Sequence, residues 1–127
     1  MTDKLDIVGI GNAMVDAIIP SNKNEVEKNN LNRDSMNLID EDLKNSLHNN
    51  YSIKEMAGGG SLGNSMFGIT SFGGNGSFIG KIKNDEVGIF LQKDMVREGL
   101  QFPLGFTSPD ISTGCCTIFV EDDGTRT

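Results

Sequence analysis

Apolar residues recur along this chain at two different spacings, and the switches between them predict alternating strands and helices. Asp6-Ile7-Val8-Gly9-Ile10 is a short apolar run ended by Gly11-Asn12, the pattern of a buried strand that stops at a turn. Met14 to Ile19 continues apolar, broken by Asp16 and closed by Pro20. Ser21 to Arg33 is polar and Asn-rich, with a short helix expected around Glu25-Val26-Glu27-Lys28, and Ser35 to Ile39 reads as a strand. Asp40 is an N-cap candidate, with Glu41 and Asp42 in a first turn where the helix dipole favours them and Leu43 and Leu47 as the apolar stripe. Tyr51 to Met56 leads into a glycine loop. Leu62, Met66 and Ile69 follow at i, i+4, i+7, one helix face aimed at a core, and Gly73-Gly74 ends that helix. Ser77-Phe78-Ile79-Gly80-Lys81-Ile82 is a strand candidate. Val87, Phe90, Leu91 and Met95 predict a helix from Asp85 to Glu98, capped by Gly99. Thr117-Ile118-Phe119-Val120 is β-branched and aromatic, and Asp122-Asp123-Gly124 after it signals a hairpin turn. The alternation implies a βαβ architecture with a mainly parallel sheet.

Composition narrows the class. The 127 residues suit one domain or a piece of a larger one, and 36% hydrophobic with 23% charged residues suits a folded, soluble chain. The 16 glycines follow no repeat, so they read as turns and close-approach sites. A net charge of −7 with no basic stripe argues against nucleic acid and anionic membrane as partners. No apolar run approaches the roughly 18 residues of a membrane span, and Met1-Thr2-Asp3-Lys4 does not open a signal peptide. Cys115 and Cys116 are adjacent, read as structural, and fit a reducing cytoplasm. The single histidine, His48, sits at a polar helix end and is expected to face solvent, and no metal-ligand cluster is visible.

The candidate chemistry lies in Met56-Ala57-Gly58-Gly59-Gly60-Ser61-Leu62-Gly63-Asn64. Glycines let backbone N–H groups approach a ligand closely, the following helix start supplies free donors, and Asn64 offers a donor and an acceptor about one turn in. A second cluster sits after the first strand, where open α/β sheets bind ligands: Asn12 and Asp16, whose carboxylate suits two vicinal hydroxyls. Taken alone, Asp16 also reads as a solvated strand-end carboxylate, Asn12 as a turn cap, Asn64 as a helix-surface residue, and Gly59 and Gly60 as turn formers. Two phosphate motifs fail. Gly80-Lys81 lacks both other anchors of a Walker A loop, and Gly9-Ile10-Gly11-Asn12-Ala13 meets Met14 where a dinucleotide fingerprint needs glycine.

Taken together these segments resemble the pfkB, or ribokinase-like, carbohydrate and nucleoside kinases. Gly59-Gly60-Ser61-Leu62-Gly63-Asn64-Ser65 resembles the family's first signature, although the loop carries a third glycine and Gly63 where alanine is commoner. Phe78-Ile79-Gly80-Lys81-Ile82-Lys83-Asn84-Asp85-Glu86-Val87-Gly88 resembles the strand and helix start after it. Gly9 to Asp16 is similar to the first strand and substrate aspartate, and Ser112-Thr113-Gly114 through Thr127 to the hairpin before the catalytic half. Gly11 to Asp16 with Ser35 to Asp40 looks most like bacterial adenosine-kinase-like members.

The resemblance implies the N-terminal part of a ribokinase-like three-layer α/β/α fold with a small β-sheet lid, its strands near 15–19, 36–39 and 115–120. It implies transfer of the ATP γ-phosphate to a hydroxymethyl group of a sugar or nucleoside such as adenosine, ribose or fructose. Asn12, Asp16, Gly59, Gly60 and Asn64 would hold the substrate, and Arg126, which taken alone reads as a solvated hairpin arginine, would lie near the phosphates. The family's second signature, resembling D-T-x-G-A-G-D, is absent, and with it the base and the ATP pocket. ATP and Mg2+ are therefore expected to serve the intact enzyme and not to bind this chain tightly, which alone is expected to be inactive. The alternative is a stand-alone, non-catalytic module of the same half-fold that binds a small ligand or a partner. Thr125-Arg126-Thr127 are too few to pair along Cys115 to Val120, so the chain reads as truncated, either a fragment or a chain that finishes its sheet with another copy of itself. Lid strands and an open sheet edge predict a homo-oligomer.

Overall fold

The structure, a computed structural model, describes residues 4–127. β1 (Ile7–Ile10) leads through a short turn into β2 (Met14–Pro20), followed by α1 (Lys23–Lys28) and α2 (Glu41–Asn50). β3 (Glu55–Gly59) runs into α3 (Ser61–Ser71), and β4 (Gly76–Ile79), β5 (Ile82–Lys83), α4 (Glu86–Arg97), β6 (Phe106–Ser108) and β7 (Gly114–Val120) complete the order. The strands and helices mix as the periodicity predicts. The chain folds as two compact units, one from the residues up to Val15 with Ala57–Cys115, the other from Asp16–Met56 with Cys116–Thr127. Within a three-stranded sheet, β2 lies between β3 and β7.

In the first unit β1 and β4 pair in parallel, from Ile7 opposite Gly76 to Ile10 opposite Ile79. Parallel neighbours need a crossover, and α3 belongs to it. Gly9 in β1 and Gly11 just after it let that helix lie close: a Cβ at Gly9 would come within 2.9 Å of Met66 Sδ, and one at Gly11 within 2.6 Å of Leu62 Cδ2. Gln101 extends the pairing on β4, its carbonyl accepting from the Phe78 N–H at 2.8 Å. Met66, Phe78, Leu91 and Met95 are fully buried here, and Phe78 stacks on Phe102 with ring centroids 6.1 Å apart. Asp85 caps α4 by accepting from the Gly88 N–H at 2.7 Å, and its other oxygen accepts from the Thr113 N–H at 2.9 Å. One carboxylate thus starts a helix and ties down the segment before β7.

The second unit is built around Ile19, Val26, Leu47 and Phe119. Tyr51 meets Phe119 edge-on at 5.2 Å and its hydroxyl accepts from Asn29 Nδ2 at 2.7 Å. α1 starts with a capping box between Asn22 and Glu25. Arg33 grips Glu121 with both arms, Nε to Oε1 at 2.7 Å and Nη2 to Oε2 at 2.9 Å, and reaches Asp123 at 3.2 Å. That clamp holds the turn after β7.

Asp123 gives the turn a pH signature. Hydrogen bonds from the backbone and hydroxyl of Thr125, with Arg33 adding charge, hold its carboxyl below the ordinary 3.8. A folded value below the unfolded one means that its stabilisation is fully present above pH 3.8 and is lost as pH falls through the lowered value. The Thr125 amide, which donates to Asp123 Oδ1 at 2.9 Å, is expected to hold its NMR shift down to about pH 4 and to move only below it. A transition centred well above that would contradict the bond.

Several expectations change. The predicted strand over 36–39 does not form. The Asn37 side chain instead bonds the Asn32 N–H and carbonyl and the Ser35 carbonyl, closing a local turn, and Met36 and Leu38 stay exposed. Side-chain bonds of this kind compete with strand pairing. β1 is a strand but not a buried one: Val8 is 49% and Ile10 77% exposed. Its pairing is with β4 on one edge, and of its four residues Gly9 is the buried one, pressed against α3. The strand predicted from Ser77 to Ile82 divides at Gly80, where a Cβ would lie 2.4 Å from Phe78 Cε1 and 3.1 Å from the Gly11 carbonyl. The residues after the hairpin turn do pair: Phe119 and Thr127 exchange both backbone bonds, at 2.8 and 3.0 Å.

Candidate functional site

The glycine run occupies the junction of β3 and α3 in the first unit. Gly60 has φ +79° and ψ 152°, a region essentially reserved for glycine. A Cβ there would still find 3.6 Å to both the Asn12 carbonyl oxygen and Met14 Cβ. Backbone conformation, not crowding, therefore demands glycine at this position. Gly60 is the N-cap of α3 and provides no side-chain acceptor, so the first-turn N–H groups keep their donor capacity. Asn64 donates its N–H to the Gly60 carbonyl at 2.9 Å and carries an exposed side chain one turn on. Gly59 is buried just before the turn. The fold thus brings Asn12 beside Gly60, with Gly59 and Asn64 on either side of it in the chain.

An open cleft of about 270 Å³ lies in the same unit, lined by Asn12, Met14, Lys81, Ser108, Ser112 and Gly114 among others. It combines an amide, a cation and hydroxyls around an apolar wall, a lining suited to a small polar molecule. Ser108 is already engaged, donating to the Ile111 carbonyl at 2.7 Å. Sequence reasoning singled out Asn12 here but neither Lys81 nor the serines. Lys81 entered only through the failed phosphate loop and a family-like strand segment, and Ser112 only through the family-like segment before the hairpin.

Asp16 and Arg126 belong to the second unit. Asp16 is half-buried on β2, alternating with the buried Val15, Ala17 and Ile19. Burial, and then the Asp16 charge, push the Cys116 thiol above its usual 9.0. Cys116 is thus a protonated thiol at neutral pH and a poor nucleophile. It is expected to react with iodoacetamide more slowly than free cysteine at pH 8, and faster after Asp16→Asn. An unchanged rate in the variant would separate the two groups. Arg126 is exposed and bridges Val120 in antiparallel fashion. His48 departs from expectation: it is half-buried, with Nε2 2.8 Å from Thr117 Oγ1, because α2 lays its last turn against β7. Among the described residues no group of three His, Cys, Asp or Glu side chains gathers to hold a metal ion, and no helix is long and apolar enough to cross a membrane.

No family model and no curated protein matches the chain. Solved structures do. The adenosine kinase from Sinorhizobium meliloti superimposes with a TM-score of 0.79 at 33% identity, over 97% of this chain and 38% of that one. A probable sugar kinase from Rhizobium etli CFN 42 gives 0.78 at 30% identity, over 96% and 37%. A putative ribokinase from Agrobacterium tumefaciens, at 16% identity and a TM-score of 0.62, shares the fold over 95% of this chain and 34% of its own. The chain therefore spans between 34% and 38% of the length of these proteins.

Proposed function

The chain carries the α/β fold of the ribokinase-like, or pfkB, kinases, and from that premise we propose that it supplies the substrate-holding part of a sugar or nucleoside kinase. The reaction moves the γ-phosphoryl group of ATP to a hydroxymethyl group. The hydroxyl oxygen forms the new bond to phosphorus, the bond to the bridging oxygen of ADP breaks, and the hydroxyl proton passes to a base. That base and the ATP cradle belong to the portion of such kinases that this chain does not span. ATP and Mg2+ would be held by that same portion.

The observation that carries this reading is the glycine turn. Gly60 stands at positive φ beside Asn12, the start of α3 is uncapped, and Asn64 follows within one turn. Backbone N–H groups of Gly59 and Gly60 and the amides of Asn12 and Asn64 suit a polyol. By the family resemblance, Asp16 would accept from vicinal hydroxyls and Arg126 would serve the phosphates. The adenosine kinase likeness favours a nucleoside, with adenosine the first ligand to try. A cytoplasmic location, with ATP and reduced thiols at hand, suits this chemistry. Pairing along an open sheet edge makes a homo-oligomer, which light scattering at high concentration tests; a monodisperse monomer would refute it.

The test has two arms. Calorimetric titration of the chain with adenosine, ribose and fructose is expected to give binding to at least one. Asn64→Ala should weaken it roughly tenfold, the scale of one hydrogen bond to a buried ligand group, with the melting temperature unchanged because the side chain is exposed. An ADP-release assay on the longest product of the encoding reading frame should show transfer to the same ligand. Binding without transfer in that product would leave the non-catalytic module; no binding in either protein would sink the substrate reading.

A further inference from the structure

Gly58, the additional glycine of the run, has a backbone N–H that no strand neighbour is needed to explain. It donates at 2.8 Å to Oδ2 of Asp94, on α4 of the same unit. Asp94 is 5% exposed, and its other oxygen is paired with Arg97 one turn along the helix. A carboxylate this deep is costly unless every oxygen is engaged, and a hydrogen bond to an ionised acceptor is stronger than one between neutral groups. The backbone at Gly58 also sits flush against its surroundings. A Cβ there would come within 2.7 Å of Phe67 Cζ and 3.0 Å of Asp94 Oδ2. Glycine at this position is what allows the carboxylate to reach the main chain.

We propose that Asp94 is a positioning residue for the glycine turn, its buried carboxylate holding Gly58 and thereby setting the backbone that runs through Gly59 to Gly60. The proposal rests on the reading that this turn meets a sugar or nucleoside. Glycine reaches φ +79° without strain but reaches many other conformations as well, so the turn keeps this one only if the chain on both sides is held. On the far side α3 holds it through the bond from Asn64 N–H to the Gly60 carbonyl. On the near side Asp94 does so. The residue touches no ligand itself; it decides how the turn's N–H groups are presented.

The experiment compares wild type, Asp94→Asn and Arg97→Met by amide NMR of the 127-residue chain with adenosine as the probe. In wild type the Gly58 amide proton is expected far downfield and slow to exchange. Asp94→Asn should move the Gly58, Gly59 and Gly60 resonances, speed exchange at Gly58 and weaken adenosine binding about tenfold, one charge-assisted bond's worth. Arg97→Met removes the ion pair but keeps the bond to Gly58, so it should lower stability yet preserve the Gly58 shift and the affinity. If Asp94→Asn does not fold, Asp94→Glu carries the same readouts. Affinity within twofold of wild type with Gly58 to Gly60 unmoved overturns the proposal. So does a loss of affinity that tracks stability equally in both variants, which makes Asp94 structural only. A wild type that does not respond to adenosine, ribose or fructose refutes the substrate reading instead. The Asp94 link to the turn is then judged on the Gly58 to Gly60 shifts and exchange alone.

Discussion

Replacing Phe119 with alanine is expected to lower the unfolding free energy by about 4 kcal/mol, the range found when a buried phenylalanine is truncated. Phe119 is 1% exposed and is the largest side chain in the cluster with Ile19, Val26 and Leu47. The ring also receives the edge of Tyr51 at 5.2 Å, so truncation removes an aromatic pair as well as area. The backbone at this position is bonded to Thr127 in both directions, which limits how far the strand can sink to fill the hole. Urea denaturation followed by circular dichroism measures the loss. Phe119→Leu, which keeps most of the volume, should cost about 1 kcal/mol. A Phe119→Ala chain within 1 kcal/mol of wild type would mean that the second unit has another core.

Gly88→Ala should cost about 3 kcal/mol, the upper end for forcing an extra carbon into packed structure. The added Cβ would stand 2.1 Å from the Lys83 carbonyl oxygen and 2.7 Å from Thr113 Oγ1. Neither neighbour gives way cheaply. The Lys83 oxygen is backbone, and Thr113 is tied by Asp85, which accepts from both its N–H and its hydroxyl at 2.9 and 2.8 Å. Moving α4 outward to make room would strip its own cap, because Asp85 accepts from the Gly88 N–H. Gly68→Ala is the control. Nothing lies within 4 Å of its Cβ position on α3, and it should stabilise the chain by up to about 1 kcal/mol through helix propensity alone. If both substitutions behave alike, the contact around Gly88 is not what the geometry says.

Pattern in the chain was sufficient where an element is decided by residues close together in sequence. Val87, Phe90, Leu91 and Met95 marked α4, and Asp40 proved to be the cap its position suggests, while Asp85, expected as the first helical residue, caps α4 from just outside it. The apolar run over 14–19 marked β2, and the structure turns Val15, Ala17 and Ile19 inward with Asp16 between them. The glycine run and Asn64 were visible for the same reason, since a turn that needs positive φ at Gly60 leaves glycine in the sequence.

Other features depend on partners far along the chain, and periodicity carries no record of them. β3 contains Ala57, Gly58 and Gly59, which have little strand propensity, and forms because the sheet offers it a place beside β2. Residues 36–39 have the alternation of a strand yet lack a sheet neighbour, so Asn37 closes them into a turn. Arg33 finds Glu121, and Asp94 finds Gly58, across separations of 88 and 36 residues. His48 is drawn to Thr117 in the same way. The sequence by itself determined the helices, the Asp40 cap and the glycine turn at Gly60, because local sterics and burial period decide them. Only the tertiary structure decided which backbone donor each buried carboxylate would hold, because that depends on where folding brings distant groups out of water together.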